Sequence, residues 1–309
     1  MSKLNIVLLS LIIFLGITAF IFFEGNKAKQ VLSSPVLGAS KIRTSDNLWF
    51  PKDSSKQFFG VPEITAESAF FIDTNSGQVL FEKNSHAKLP AASLVKIMTV
   101  IVGVEAGGED FKKVYTISKN AADMEPDHML LKTGEKLTLE ELLDGIFLVS
   151  ANDGAEAIAE ETTGSRDEFI DLMNAKAKQL GMNDTKFINP TGLEEDNKLQ
   201  YSSSFDVALM SRYAIKTFPH LVDLSSQYHV YLPETPTHQD YDMYSGINLL
   251  TTYPGVVGFK TGFTPEAGLT LVTLARKNGK EVLGVILGAT DRRDDARSLL
   301  DYSFKKLGI

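Results

Sequence analysis

Strand-like sequence lies at both ends of the main part of the chain, and helical sequence fills the stretch between them. Two apolar runs joined by turn residues, at 68–73 and 79–82, predict one β-hairpin, and runs at 268–275 and 281–287 predict another. About 130 residues between them show apolar residues at helical spacing, interrupted by short loops. The pattern therefore predicts an α+β fold, in which an antiparallel sheet built from both ends of the chain is flanked by helices and carries an inserted all-helical lobe.

Helices are predicted wherever apolar side chains recur every three or four residues. The first begins at Ser93. Thr138 can cap the start of the second, which is predicted around residues 137–148. Further helices are predicted around residues 151–161, 167–180, 204–216 and 291–307, and a short β-prone stretch covers residues 256–260.

The first 23 residues differ in composition from the rest of the chain. Residues 6–23 are almost uninterrupted aliphatic and aromatic, which is long enough for a helix that crosses a bilayer. No small-x-small cleavage site follows, so an uncleaved N-terminal membrane anchor is favoured over a signal segment that is removed. Residues 24–60, with little periodicity, are predicted to be a linker, and residues 61–309 the folded domain.

The composition excludes several kinds of chemistry. The chain has no cysteine, which removes disulfides, thiol nucleophiles and cysteine-bound metals from consideration. Its five histidines are dispersed and form no metal-ligand pair, so neither a metal nor another cofactor is predicted. The net charge of -8 argues against a nucleic-acid partner, which requires basic surface to neutralise phosphate.

Three short motifs, in a fixed order, carry the candidate chemistry. They are Ser93-Leu94-Val95-Lys96, Ser150-Ala151-Asn152 and Lys260-Thr261-Gly262. Together they supply a serine nucleophile, a lysine that could activate it, and polar groups that could hold a peptide, which indicates acyl transfer. Each alone has an ordinary interpretation, because short polar residues at helix ends are usually caps and helix lysines are usually solvated.

Copies of these motifs occur elsewhere in the chain, so the order and the local context of each copy decide whether it is a candidate for the site. Lys132-Thr133-Gly134 runs into a predicted helix and is interpreted as a loop. Lys260-Thr261-Gly262 ends a β-prone run and can line the edge of a sheet, where a substrate backbone could pair as an extra strand. A second Ser-x-x-Lys, residues 303–306, is expected at the exposed end of the last helix, with nothing downstream to complete a site.

The spacing of the first motif permits direct contact between its serine and its lysine. Three residues apart on one helix, Ser93 and Lys96 lie on the same face. A lysine acts as a base only when burial or a nearby cation lowers its pKa, and Lys260 could be that cation. The free N–H groups and the positive dipole at the helix start would favour the oxyanion that forms when Ser93 attacks.

From about residue 68 to the end, the chain resembles the serine penicillin-recognising enzymes. More narrowly, it resembles the D-alanyl-D-alanine carboxypeptidases of the peptidase S11 type, the low-molecular-mass penicillin-binding proteins. The matching segments are 90–99 (PAASLVKIMT), 150–153 (SAND), 181–182 (GM), 187–193 (FINPTGL), 258–264 (GFKTGFT) and 267–268 (AG). The resemblance implies the fold shared by serine β-lactamases and penicillin-binding transpeptidases, with residues 61–309 as a penicillin-binding peptidase domain.

The resemblance also implies a reaction and its catalytic groups. Ser93 would attack the peptide bond between the two terminal D-alanines of a peptidoglycan stem, forming an acyl-enzyme that water then releases. Lys96 would be the base, Ser150 would relay the proton toward the leaving amine, and Asn152 would bind the substrate amide. Stem peptides are the implied partners and β-lactams the implied covalent inhibitors. The catalytic domain would lie on the extracytoplasmic side of the cell membrane, or be secreted if the N-terminal segment is cleaved.

The third motif is implied to bind the substrate. Lys260 and Thr261 would hold the terminal carboxylate, and Gly262 would let the strand approach. The backbone N–H groups of Phe263 and Ser93 would form the oxyanion hole. No motif assigns an arginine to the carboxylate pocket.

Three other functions stay open from the sequence. A D,D-endopeptidase that cuts cross-links would use the same residues. A β-lactamase would need a glutamate between the second and third motifs, where Glu194 and Glu195 fall without the expected surrounding pattern. A cell-wall-binding protein without catalysis is expected to have lost one of the catalytic groups, whereas all of them are present.

Overall fold

A five-stranded antiparallel sheet, to which both ends of the folded chain contribute, lies at the centre of the molecule. A computed structural model describes residues 49–52, 58, 60–195 and 198–309. The strands in chain order are β1 Ser68–Asp73, β2 Val79–Lys83, β3 Val114–Thr116, β4 Lys136–Thr138, β5 His229–Leu232, β6 Tyr241–Tyr244, β7 Val256–Thr264, β8 Gly268–Lys277 and β9 Lys280–Ala289. The large sheet has the order β2-β1-β9-β8-β7, so β7 lies at its edge. The predicted antiparallel sheet is confirmed.

The helices form a lobe between β2 and β7 and add one helix after β9. They are α1 Lys96–Ala106, which follows the 3₁₀ turn Ala92–Val95, α2 Lys119–Ala122, α3 Leu139–Leu148, α4 Asn152–Thr163, α5 Arg166–Gln179, α6 Ser204–Thr217, α7 His220–Ser225, α8 Leu249–Thr252 and α9 Arg292–Lys306. Thr138 and Glu141 form a capping box at the start of α3, which explains why this helix begins where the sequence predicts.

Alternation along the strands divides the core between the two faces of the large sheet. In β1, Phe70 and Ile72 pack toward the helical lobe, whereas Ala69 and Phe71 join the cluster that contains α9. The pairing of β1 with β9 places residues 68–73 directly beside residues 282–287. The sheet therefore holds the two ends of the domain together, with helices on both faces.

The helical lobe contains two small antiparallel sheets that the sequence analysis did not predict. One pairs β3 with β4, and the other pairs β5 with β6. Their strands are only three or four residues long, which is too short for a periodic pattern to stand out from the surrounding loops.

The structure places one of the two motif copies set aside in the sequence in a loop and the other in a helix. Lys132-Thr133-Gly134 lies in a loop before β4, as expected. Ser303 is completely buried in α9, so the expectation that it lies at an exposed helix end is wrong. Ser303 is buried because its apolar neighbours on α9 pack against the sheet.

The predicted membrane segment, residues 1–23, lies outside the described residues, as does most of the predicted linker. Residues 49–52 are described and pack on the domain. Lys52 donates a backbone hydrogen bond to Gly77 at 2.8 Å, and the Arg212 guanidinium lies 3.9 Å from the centre of the Trp49 ring. Within the described part of the chain, none of the helices combines the length and the apolar character that a bilayer-spanning helix requires.

Candidate active site

Ser93 and Lys96 are hydrogen-bonded to each other, as the spacing of the first motif predicts. Ser93 lies in the 3₁₀ turn, and Lys96 is the first residue of α1. Lys96 Nζ lies 2.8 Å from Ser93 Oγ and 2.8 Å from the carbonyl oxygen of Thr191. The Ser93 side chain caps neither the turn nor α1, so the ordinary N-cap interpretation does not apply.

The surroundings of Lys96 favour its neutral form. Its side chain is completely buried, and this burial lowers the pKa of Lys96 well below its usual range. The charge of Lys260 lowers the pKa further, against opposing contributions from Asp127 and Asp153. A neutral amine within hydrogen-bond distance of a serine hydroxyl can accept its proton.

The second motif occupies the junction between α3 and α4. Ser150 has a left-handed backbone conformation, with φ of 63°, and its Oγ lies 2.9 Å from Lys260 Nζ. Asn152 begins α4, and its side-chain amide donates a hydrogen bond to the carbonyl of Pro126. Its backbone N–H donates to the carbonyl of Asp127 at 2.7 Å.

Asn152 keeps one polar atom without a partner. Its Oδ1 is buried and accepts no hydrogen bond from any residue that the structure describes, although its Nδ2 is held by Pro126. Buried acceptors are almost always paired, so an unpaired one in the second motif is a candidate acceptor for a ligand N–H.

The third motif lies on β7, at the edge of the large sheet. Lys260 is almost completely buried, and burial together with the nearby charge of Arg292 lowers its pKa to about 7. Thr261 is half-buried, and Phe263 is 58% exposed. The strand therefore alternates between a buried face that carries Lys260 and a more open face at the rim.

Gly262 brings β7 against the backbone of the nucleophile. A Cβ atom at this position would lie 2.8 Å from Ser93 N and 2.6 Å from Thr270 Oγ1. Such distances are shorter than van der Waals contact, so only glycine allows this approach. The backbone N–H of Ser93 is thus held next to the strand that carries Lys260 and Thr261.

The turn at residues 189–192 completes the surroundings of the serine–lysine pair. Asn189 Oδ1 accepts hydrogen bonds from the backbone N–H groups of Thr191, at 3.2 Å, and Gly192, at 2.8 Å, which shapes the turn. The turn presents the Thr191 carbonyl to Lys96. The turn lies within one of the segments that resemble the carboxypeptidases, but the sequence alone predicts no role for it, because the contact to Lys96 comes from a backbone atom.

Arg292, for which the sequence predicts no role, contacts the third motif. It begins α9, and its Nη1 donates a hydrogen bond to the Gly262 carbonyl at 2.7 Å and to the Thr270 carbonyl at 3.3 Å. It therefore supports β7 from behind the third motif, and its charge contributes to the lowered pKa of Lys260. No signal in the sequence distinguishes it from Arg293 or Arg297.

The two glutamates considered for a β-lactamase are both engaged. Glu194 accepts a hydrogen bond from Thr264 at 2.5 Å. Glu195 is bonded to Arg166 and Lys198. Although burial alone would raise the pKa of Glu195, these hydrogen bonds hold it at about 2, which makes it a poor base.

The fold and the two hydrogen-bonded serine–lysine pairs define a class of protein, the serine acyl-transfer enzymes of the penicillin-recognising type. Within that class the chain belongs to the D-alanyl-D-alanine carboxypeptidase family, peptidase S11, whose sequence model matches residues 55–291. The predicted family, fold and enzyme class, a serine-type carboxypeptidase that acts on peptidoglycan, are thereby confirmed.

Individual relatives agree with this placement. D-alanyl-D-alanine carboxypeptidase DacF of Bacillus subtilis is 34% identical over 284 residues, which cover 90% of this chain and 72% of the relative. DacA of Escherichia coli is 34% identical over 259 residues, covering 80% of this chain but only 62% of the relative. The chain thus spans less than two thirds of that second relative.

Solved structures show the same similarity. The D-alanyl-D-alanine carboxypeptidase DacD from Francisella tularensis is 28% identical, with a TM-score of 0.72 over 85% of this chain and 74% of that one. The Streptomyces K15 DD-transpeptidase is 27% identical, with a TM-score of 0.74 over 79% of this chain and 99% of that one.

Proposed function

We propose that this chain removes the terminal D-alanine from peptidoglycan stem peptides through an acyl-enzyme on Ser93. The observation that carries the proposal is the contact between Lys96 Nζ and Ser93 Oγ at 2.8 Å, made by a lysine whose pKa is lowered by burial. The same residues would react with β-lactams, whose strained amide is attacked in place of the peptide bond.

Acylation begins when Ser93 Oγ attacks the carbonyl carbon of the peptide bond between the two D-alanines. Neutral Lys96 takes the hydroxyl proton as the new C–O bond forms, and the carbonyl electron pair moves onto oxygen. The backbone N–H groups of Ser93 and Phe263 would stabilise that oxyanion, and the approach that Gly262 permits brings β7 against the turn that carries Ser93.

Collapse of the oxyanion breaks the C–N bond and releases D-alanine. The leaving nitrogen needs a proton, and the proton that Lys96 took from Ser93 would pass to it through Ser150, whose hydroxyl is hydrogen-bonded to Lys260. This transfer returns Lys96 to its neutral form. Water then adds to the ester, Lys96 takes the proton from that water, and Ser93 regains its hydroxyl proton as the shortened peptide leaves. No atom beyond substrate, water and the protein is required.

Substrate binding would use the groups that the site leaves available. Asn152 Oδ1 would accept the hydrogen bond from a substrate amide, because this buried atom has no partner among the described residues. Lys260 and Thr261 would hold the terminal carboxylate, which would also keep Lys260 protonated although its pKa is lowered to about 7. An extended stem peptide can add to the edge strand β7.

The proposed location is the cell membrane. We propose that residues 1–23 anchor the protein, that residues 24–60 link the anchor to the domain, and that residues 61–309 form the peptidase domain on the extracytoplasmic side. The apolar run at residues 6–23 and a substrate that lies outside the cytoplasm support this location. Cleavage of the apolar run would give a secreted enzyme instead, and N-terminal sequencing of the mature protein distinguishes the two.

Labelling with a fluorescent penicillin tests the proposed nucleophile. The full-length protein, purified in detergent, is expected to form a covalent adduct that peptide mass spectrometry places on Ser93, and to release D-alanine from a stem pentapeptide. The Ser93→Ala variant is expected to do neither. An undiminished adduct in Ser93→Ala would remove Ser93 from this role.

Product analysis separates the remaining functions. Incubation with cross-linked wall fragments is expected to release D-alanine, whereas a D,D-endopeptidase would release uncross-linked muropeptides. A binding protein without catalysis would yield neither product, and a β-lactamase would turn over penicillin rapidly instead of retaining it.

A further inference from the structure

Exposed tyrosines form one surface of the β5–β6 sheet. Tyr228, Tyr231 and Tyr244 are 54%, 55% and 53% exposed. Because His229 is paired with Tyr244 and Tyr231 with Asp242 across the two strands, these four side chains share one side of the sheet. Tyr228 precedes β5 and joins them through its ring contact with Tyr244. We refer to this surface, made of Tyr228, His229, Tyr231, Asp242 and Tyr244, as the tyrosine face.

The opposite side of the same sheet is buried. Tyr241 and Met243 belong to the core beneath the helical lobe, and Val230 and Leu232 pack against it. The inner side chains are therefore sufficient to fix the sheet in place. The rings of the tyrosine face are not needed for that purpose, and aromatic groups clustered on a surface usually mark a binding site.

The rings of the tyrosine face are arranged by contacts among themselves. Tyr228 and Tyr244 meet edge to face with 6.0 Å between ring centres, and His229 stacks on Tyr244 at 4.3 Å. His229 Nε2 lies 2.5 Å from Asp242 Oδ1. Because these two polar side chains engage each other, the surface offers flat apolar rings bordered by hydrogen-bonding groups and suits an uncharged, amphipathic ligand.

The β5–β6 sheet is attached to the walls of the candidate active site at two points. Beyond β6, Gly246 N donates to the Leu148 carbonyl at 3.0 Å, just before the second motif, and a Cβ on Gly246 would lie 3.7 Å from Thr261 Oγ1. In the connecting loop, Gln239 Nε2 donates to the Leu130 carbonyl at 2.9 Å. The tyrosine face therefore belongs to a sheet whose connecting segments are anchored beside the second and third motifs, next to the site that would receive the stem peptide.

We infer that the tyrosine face binds the glycan strand to which a stem peptide is attached. The inference rests on the proposed function for its substrate, since a peptide held at Ser93 brings its own glycan to the rim of the site. The C–H faces of amino-sugar rings are apolar, and their hydroxyl and N-acetyl groups form hydrogen bonds. This chemistry matches stacked tyrosines bordered by His229 and Asp242.

A binding experiment that needs no catalysis tests this inference. Full-length Ser93→Ala protein in detergent is titrated with peptide-free glycan, for which uncharged oligomers of N-acetylglucosamine are the probe. Adding Tyr228→Ala and Tyr244→Ala together is expected to weaken binding about tenfold. Tyr244→Phe, which keeps the ring, and Val114→Ala, an exposed β3 residue outside the face, are expected to bind as the parent does.

Several results would overturn the inference. The first is that peptide-free glycan does not bind measurably, and the second is that the tyrosine double variant binds glycan as tightly as the parent does. The third is that the double variant loses as much affinity for free stem peptide as it loses for glycan. Penicillin labelling of the double variant with Ser93 intact checks that it folds, and labelling at the wild-type rate is expected. Failure of the proposed function would instead appear as absent D-alanine release in the wild type, which this titration does not use.

Discussion

Lys260 Nζ lies 2.9 Å from Ser150 Oγ, so the last of the three motifs in the chain is bonded directly to the second. The first motif contains the corresponding contact between Lys96 and Ser93 at 2.8 Å. Two buried lysines that each hold a serine therefore face one reaction centre, and the charge of Lys260 disfavours a charge on Lys96. Several measurable consequences follow from this arrangement.

Replacing Lys96 tests whether it is the base. Lys96→Ala is expected to slow penicillin acylation by roughly 10²–10⁴-fold, because the serine hydroxyl loses its proton acceptor. Rapid-quench kinetics with labelled penicillin measure the rate. Lys306→Ala is the matched control, since Lys306 ends the second Ser-x-x-Lys and donates to the Leu80 carbonyl at 2.9 Å. Unchanged acylation in Lys96→Ala would remove Lys96 from the mechanism.

Replacing Lys260 tests how its charge acts on Lys96. In Lys260→Met the pKa of Lys96 is expected to rise, because one of the charges that lowers it is gone. A base works in its neutral form, so the acid limb of the pH–rate profile for acylation should move to higher pH. The pH profile of labelling measures this, with Lys132→Met from the loop copy of the motif as control. A limb that stays in place or moves to lower pH would contradict the electrostatic coupling.

Stability should respond to pH through the same lysine. The pKa of Lys260 is about 7 in the folded protein and near its ordinary, higher value when unfolded. Below pH 7 both states carry the charge, and the folded state bears the full cost of burying it; as pH rises above 7 that cost is progressively relieved. Lys260→Met is therefore expected to raise Tm at pH 6 and to raise it less at pH 9.5. Thermal unfolding of the wild type and the variant at the two pH values tests this prediction. A difference in Tm that is larger at pH 9.5 than at pH 6 would contradict it.

Gly192 and Gly134 form a matched pair that separates packing from backbone conformation. Both have a left-handed φ, 90° and 88°. A Cβ at Gly192 would lie 2.0 Å from the Ala92 carbonyl oxygen, whereas a Cβ at Gly134 would meet no atom of the described residues within 4 Å. Gly192→Ala is expected to displace the peptide that precedes Ser93 and to lower acylation by about 100-fold, while Gly134→Ala keeps the rate. Equal rates in the two variants would show that the turn does not position Ser93.

Much of the fold and of the candidate site could be predicted from sequence because local signals coincide with tertiary roles. Thr138 caps α3 as its position predicts, and the hairpins follow from their turn residues. Ser93 and Lys96 meet because three residues of helix bring them to one face. These features depend only on neighbours in the chain.

What the sequence did not reveal depends on distant partners or on backbone atoms. The Thr191 carbonyl accepts a hydrogen bond from Lys96, which lies 95 residues away in the chain. Because the acceptor is a backbone atom, many other residue types at position 191 could make the same contact. Arg292 acts through the Gly262 carbonyl, and its neighbours Arg293 and Arg297 have the same local composition. The tyrosines of β5 and β6 share a face only because those short strands pair.

The pairing of β1 with β9 affects how the protein must be made. β9 lies between β1 and β8 in the sheet, so β7 is joined to the first hairpin only after residues near 280–289 are available. Contacts over such sequence separation form late and slowly. A chain emerging from the ribosome or crossing a membrane therefore carries its nucleophile long before it carries a working site, which would protect the unfinished enzyme from β-lactams. Penicillin labelling would then report completion of folding as well as activity.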